Sequence, residues 1–161
     1  MTRLTAWLAA SDRLVGSYAG ATSRLLRWGL GFTIFLAGAH KLVAPAAWHA
    51  YLAPVLETAW PTGLVSLDLG FVLFGVSEVA FGLLLFADWH TPTVAGVTAL
   101  SLAGVVANLL LAMGQGMAVG DVLVRDLGLT AFATAVALDA ARDRSDIAER
   151  SAAVTDPPSP S

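Results

Sequence analysis

Four apolar stretches separated by short polar or proline-containing joints dominate the pattern along the chain: residues 25–43, 64–87, 93–113 and 122–140. Each is about 20 residues long, the length a helix rising 1.5 Å per residue needs to span the hydrocarbon of a bilayer. The joints 88–92 and 114–121 leave room only for antiparallel neighbours. The longer connection 44–63 carries Trp48, Tyr51, Leu52, Val55 and Trp60 between Pro45 and Pro61, a pattern that predicts an interfacial or re-entrant helix broken at Pro54. Ahead of the first stretch, Leu4, Trp7, Leu8, Val15 and Tyr18 share one helical face, away from Arg3, Asp12 and Arg13, as in a helix lying on a membrane surface. The predicted fold class is therefore all-α: a four-helix transmembrane bundle (residues 23–141), a short amphipathic N-terminal helix (1–22), an interfacial segment between helices 1 and 2, and a polar, disordered cytoplasmic tail (142–161).

Composition strengthens this reading. Of the 161 residues, 57% are hydrophobic and 13% charged, roughly half the charged share of soluble domains. The charges are segregated. Arg3, Arg13, Arg24 and Arg27 precede or open the first stretch, and Arg142, Arg144 and Arg150 follow the last. Both termini are therefore predicted to be cytoplasmic, with 44–63 and 114–121 outside. Trp28, Trp48, Trp60 and Trp89 sit near stretch ends, as an aromatic belt would. No basic groove with interleaved aromatics is present, so nucleic acid is not an expected partner. With no cysteine, thiolate nucleophiles and cysteine-ligated metals are excluded, and no metal site is predicted. No phosphate-binding loop, His-Glu-x-x-His or Gly-x-Ser-x-Gly occurs.

The informative residues are the charges inside the apolar stretches. A charge at the centre of a membrane helix costs about 2.5–3.5 kcal/mol on insertion scales. The second stretch, with Asp68 and Glu78, still inserts because its Leu, Val and Phe return about 0.3–0.6 kcal/mol each, but its acids need partners. At 100° per residue, Asp68, Phe71, Gly75, Glu78 and Gly82 fall on one arc, and Arg27, Gly31, Ile34, Gly38 and Lys41 fall on one arc of the first helix. Small residues let helices approach closely, so these faces are expected to point into the bundle. The third helix offers Ser101, Gly104 and Asn108, and the fourth Asp126 and Thr130. Depth suggests an inner Arg27–Glu78 pair and an outer cluster of Lys41, Asp68, Arg125 and Asp126 beside His40, roofed by 44–63. His40, Lys41 and Arg125 are the candidates for holding an anionic or quinone-like head group. Packing and register alone also account for such pairs. Asn108 is expected to hydrogen-bond between helices, His49 and His90 to lie at the interface, and Asp88, Asp139, Asp143, Asp146 and Glu149 to be solvated boundary charges.

Three segments, in order, resemble the DoxX family of small four-helix membrane proteins: Arg27-Trp-Gly-Leu-Gly-Phe through Ala37-Gly38-Ala39-His40-Lys41-Leu42; Gly75-Val-Ser-Glu78-Val-Ala-Phe-Gly82; and Arg125-Asp126-Leu-Gly-Leu. The family pattern places an arginine at the opening of helix 1, Gly-x-x-Lys near its end, a glutamate in helix 2 and an Arg-Asp pair opening helix 4. Here these fall on Arg27, Gly38 with Lys41, Glu78, and Arg125 with Asp126. The resemblance implies an integral membrane subunit of an oxidoreductase complex, either facing a quinone or anchoring a soluble or membrane redox partner, with no covalently bound cofactor and no catalysis by this chain alone. A small proton-coupled transporter built on Glu78 and a ligand-free membrane scaffold are the alternatives. The sequence does not specify the oligomeric state.

Overall fold

The computed structural model describes residues 7–8, 11–13, 16–17 and 19–155. All regular structure among them is helical. After a single 3-10 turn (Ala19–Ala21) comes α1 (Thr22–Val43). A 3-10 segment (Pro45–Tyr51) and the short α2 (Pro54–Ala59) follow, then α3 (Leu67–Phe86), α4 (Thr91–Gly114) and α5 (Gly120–Thr155). The four long helices alternate in direction and take up the four apolar stretches, except for residues 64–66 and 87 at the ends of the second. Half of the expected N-terminal amphipathic helix (1–22), including Leu4, Val15 and Tyr18 of its apolar face, lies outside the described residues.

Local chemistry sets the boundaries. Ser66 caps α3, its side chain accepting a hydrogen bond from the Leu69 amide at 3.2 Å. The α3–α4 turn is tight because Asp88 and His90 take left-handed backbone conformations (φ 56° and 46°). Aspartate tolerates this region better than most side chains. Thr91 donates to Asp88 Oδ1 at 2.6 Å, and Pro92 then starts α4. Behind Val43 the chain turns by 110° into the Pro45–Tyr51 segment, because Pro45 cannot extend α1.

One expectation fails here. Residues 142–155, predicted to be disordered, continue α5 without a break. The stretch is polar, but Ala and Arg make up six of its fourteen residues, it has no Gly or Pro, and it spaces Asp146 four residues before Arg150. High helix propensity and that pairing suffice to propagate an existing helix.

Two helices, Leu67–Phe86 and Thr91–Gly114, are long and apolar enough to cross a membrane. Thr22–Val43 with its bent continuation Pro45–Tyr51 makes a third candidate. The chain is thus a small helical protein with two to three candidate membrane spans, which points to the membrane. What holds α5 below the same standard is charge: Arg125, Asp126 and Asp139 interrupt its apolar part.

Two cores hold the bundle. Near the α3–α4 turn all four long helices meet, through Leu30 and Ile34 of α1, Leu85 of α3, Val94, Ala95 and Leu102 of α4, and Ala133 and Val136 of α5. At the other end the core contains Val106, Leu109 and Ala112 of α4, Val119 and Leu123 next to and in α5, and Ala53 from the connection. α1 and α3 contribute nothing to this second core. The two helix pairs, α1/α3 and α4/α5, are joined by side chains at one end and by the 44–63 connection at the other.

Glycines set the α1/α3 seam. A Cβ on Gly38 would lie 2.6 Å from the Gly75 carbonyl oxygen, and one on Gly82 would lie 2.8 Å from that of Gly31. The backbones touch, as small residues in membrane helices allow. The predicted charged-and-glycine faces of α1 and α3 therefore face each other.

Candidate functional site

Where α1 and α3 leave the second core, a cavity of about 550 Å³ opens between the four long helices. Its walls are mostly apolar, and its polar groups are few and convergent, the usual make-up of a small-molecule site. Lys41, Glu78, Arg125 and Asp126 all line it.

The central pair follows from the α1/α3 register. Lys41 lies three residues beyond Gly38, and Glu78 three residues beyond Gly75, the glycines that face each other. Side chains on a helix lean toward its N-terminus, so on antiparallel helices these two lean toward one another. Lys41 Nζ donates to Glu78 Oε2 at 2.7 Å. Both residues are buried, at 3% and 7% exposure. Lys41 is the chain's only lysine. Its ammonium also sits 3.6 Å from the centroid of the Trp48 ring and 5.0 Å from that of Phe74, a favourable cation–π arrangement where water is excluded.

From α5, Asp126 (4% exposed) faces the same pair closely enough to act on both charges. Arg125 Nε donates to Asp126 Oδ1 at 2.8 Å. The quartet holds two cations and two carboxylates, so its formal charge sums to zero. Balanced in this way, four charges are tolerable in a low-dielectric setting where an isolated one is not.

The connection forms a roof over this cluster. Trp48, Tyr51, Leu52 and Leu56 line the cavity, and Asn108 of α4 latches the roof. Its Nδ2 donates to the Tyr51 carbonyl at 2.7 Å, and its Oδ1 accepts from the Ala53 amide at 2.9 Å. Gln115 Oε1 accepts from the Val55 amide at 3.2 Å. Replacing Asn108 with Ala strands two backbone groups of the roof, at a cost of about 1–3 kcal/mol. Limited proteolysis is expected to cut Asn108→Ala within 45–59 at least tenfold faster than the parent, leaving the long helices intact.

Several expected partnerships are corrected. Arg27 does not pair with Glu78. It leans toward its own N-terminus, away from Glu78, and forms an ion pair with Asp88 in the α3–α4 turn. Asp88 is a boundary charge exposed to solvent, as expected, but a paired one. Asp139 and Asp143 both accept hydrogen bonds from Ser23, at 2.6 and 3.0 Å. Asp68 lies outside the cavity, with His49 Nε2 2.9 Å from its Oδ1 and the His49 ring stacked on Phe71. His40 is also outside the cavity lining. Its Nδ1 accepts a hydrogen bond from Trp48 Nε1 at 3.0 Å, which positions the indole. Asn108 bonds to the roof, not to another long helix. Trp48, Phe74 and Tyr51, read from sequence as belt or apolar residues, belong to the site. Only the 110° turn at Pro45 brings Trp48 back over Lys41; the proline marks the turn, but not which ring meets the ammonium.

The Arg27–Asp88 pair has a pH signature. The hydrogen bond from Arg27, then that from Thr91, hold the Asp88 carboxyl below its ordinary value of 3.8. A carboxyl depressed in the folded state adds stability that is present above the unfolded value and is lost as pH falls through the folded one. With the Asp88 side chain 58% exposed, solvent screening limits this to about 0.5 kcal/mol. Asp88→Asn should lower the melting temperature slightly at pH 7 and leave it unchanged at pH 2.

No protein-family model, curated protein or solved structure matches the chain, so the site is read from its own geometry.

Proposed function

We propose that the chain is a DoxX-like membrane protein, a four-span bundle with both termini cytoplasmic, whose roofed cavity takes the uncharged head group of a membrane-soluble, quinone-like molecule on behalf of a redox partner. The observation that carries this is the neutral Lys41–Glu78–Arg125–Asp126 quartet at the wall of an otherwise apolar 550 Å³ cavity. The four-span reading rests on the alternating directions and lengths of α1, α3, α4 and the first part of α5. The charges of α1 and α5 are turned inward or toward the ends, where insertion is tolerated.

A quinone fits the donor set. Its carbonyls accept hydrogen bonds and carry no charge, and the cavity offers the ammonium of Lys41 and the guanidinium of Arg125 as donors, with aromatic faces at Trp48 and Phe74. Such a molecule supplies two-electron carriage within the membrane. What this chain's own residues do is orient the head and exclude water under the roof. An anionic head gains little from a site whose own charges already balance. The permeation reading is disfavoured by the four-helix core of Leu30, Ile34, Leu85 and Val136, which fills the bundle between the cavity and the α3–α4 turn.

The test is equilibrium fluorescence of the purified full chain in phosphatidylcholine vesicles, titrated with a decyl-tailed benzoquinone. The Trp48 signal is taken as the difference between the parent and Trp48→Phe. Saturable quenching, weakened at least tenfold in Arg125→Gln, is expected. Linear quenching that follows simple partitioning into the bilayer would remove the head-group site.

A further inference from the structure

The cavity has a side opening, and its position follows from the α1/α5 register. Near the turn end these helices are in contact. Ser23 reaches Asp139 and Asp143, and a Cβ on Gly29 would sit 3.5 Å from the Phe132 ring. Seven residues further along α1 is Leu36, and seven residues back along antiparallel α5 is Arg125. Seven residues are nearly two full turns, about 10 Å of rise, and return to nearly the same face of each helix. Leu36 and Arg125 therefore occupy the seam that Gly29 and Phe132 close below them. Both line the cavity, yet Leu36 is 49% exposed and the Arg125 side chain 57%. Ile34, two residues before Leu36, and Asp126, next to Arg125, are buried on the inner faces of the same helices. The seam is closed at Gly29–Phe132 and open at Leu36–Arg125.

We infer that this α1/α5 window is the entry for the ligand, which reaches the cavity sideways from the lipid and leaves its hydrocarbon tail lying between Leu36 and Arg125. The inference rests on the head-group reading above and adds the ligand's class: a tailed amphiphile already dissolved in the bilayer, not a solute arriving from water under the roof. The roof is tied by Asn108 and Gln115, whereas the window edge offers nothing to latch it: Leu36 has no polar side-chain atom, and Arg125 Nε is turned to Asp126 on its own helix. Arg125 leans toward the start of α5 and the roof, which keeps its charge beside the polar cluster and leaves the apolar Leu36 edge to the tail.

The absence of cysteine makes the test clean. Leu36→Cys and, as a control, Leu110→Cys are purified, put into phosphatidylcholine vesicles and benzylated with a methanethiosulfonate after folding. Leu110 is half exposed on α4 and does not line the cavity. The readout is the rate at which a decyl-tailed benzoquinone quenches Trp48. Benzylation at position 36 is expected to slow quenching at least tenfold, to be reversed by a thiol reductant, and to have no counterpart at position 110. Equal rates in the two benzylated proteins would overturn the window while leaving the cavity reading in place. No saturable Trp48 quenching in either protein before benzylation would overturn both.

Discussion

Lys41→Met is expected to unfold the bundle at far lower temperature than any surface change. The substitution keeps the length and apolar stem of the side chain but leaves Glu78 buried without its partner, and Asp126 beside it (Glu78 7% and Asp126 4% exposed). Breaking a buried pair by removing one member costs about 3–5 kcal/mol, mostly for the charge left behind. Glu78→Leu should cost a similar amount by stranding Lys41. The double variant Lys41→Met/Glu78→Leu should recover most of the loss, because neither charge then remains. Thermal unfolding in detergent micelles of the four proteins of this cycle measures the coupling directly. Additive losses, with no recovery in the double variant, would mean that the 2.7 Å contact does not hold the α1/α3 seam.

The second large effect lies on the same seam. Gly38→Val pushes two methyl groups into a space where even a Cβ meets the Gly75 oxygen at 2.6 Å and the Val79 nitrogen at 2.8 Å. Both are backbone atoms that cannot rotate away. The helices must separate, which moves Lys41 from Glu78, so the expected loss is at or above the upper end of the about 1–3 kcal/mol typical of overpacking. Gly128→Ala is the contrast. It is also helical, but nothing lies within 4 Å of its missing Cβ, so higher helix propensity should stabilise by about 0.5–1 kcal/mol. Opposite signs for two glycine substitutions in one protein separate seam packing from propensity. A Gly38→Val protein as stable as the parent would mean that the α1/α3 spacing is wrong.

The elements were legible because apolar length and the joining residues encode them. Each apolar stretch forms a helix over nearly its whole length, and the glycine-and-charge arcs of α1 and α3 meet as the 100° spacing implies. Legibility ended where the answer depends on the direction a side chain leans and on how the chain turns back. Arg27 and Glu78 were paired by depth along the bundle, yet their side chains lean to opposite ends, so Arg27 meets Asp88 and Glu78 meets Lys41. Trp48 reaches Lys41 only through the turn at Pro45, and Asn108 finds its partners in a loop more than fifty residues earlier in the chain. The continuation of α5 to Thr155 is not legible in the pattern, because a polar segment without Gly or Pro suits disorder and the extension of an existing helix alike.

The central claim is that the neutral quartet and its aromatic roof hold an uncharged, tailed molecule drawn from the membrane. The most direct measurement is purification of the tagged chain from native membranes in mild detergent, followed by organic extraction and mass spectrometry of what stays bound, with Arg125→Gln in parallel. A quinone-like amphiphile near one copy per chain, and at least tenfold depleted in Arg125→Gln, is the predicted result. A parent protein that carries only bulk phospholipid, indistinguishable from Arg125→Gln, would contradict the account and leave the buried charges a purely structural role.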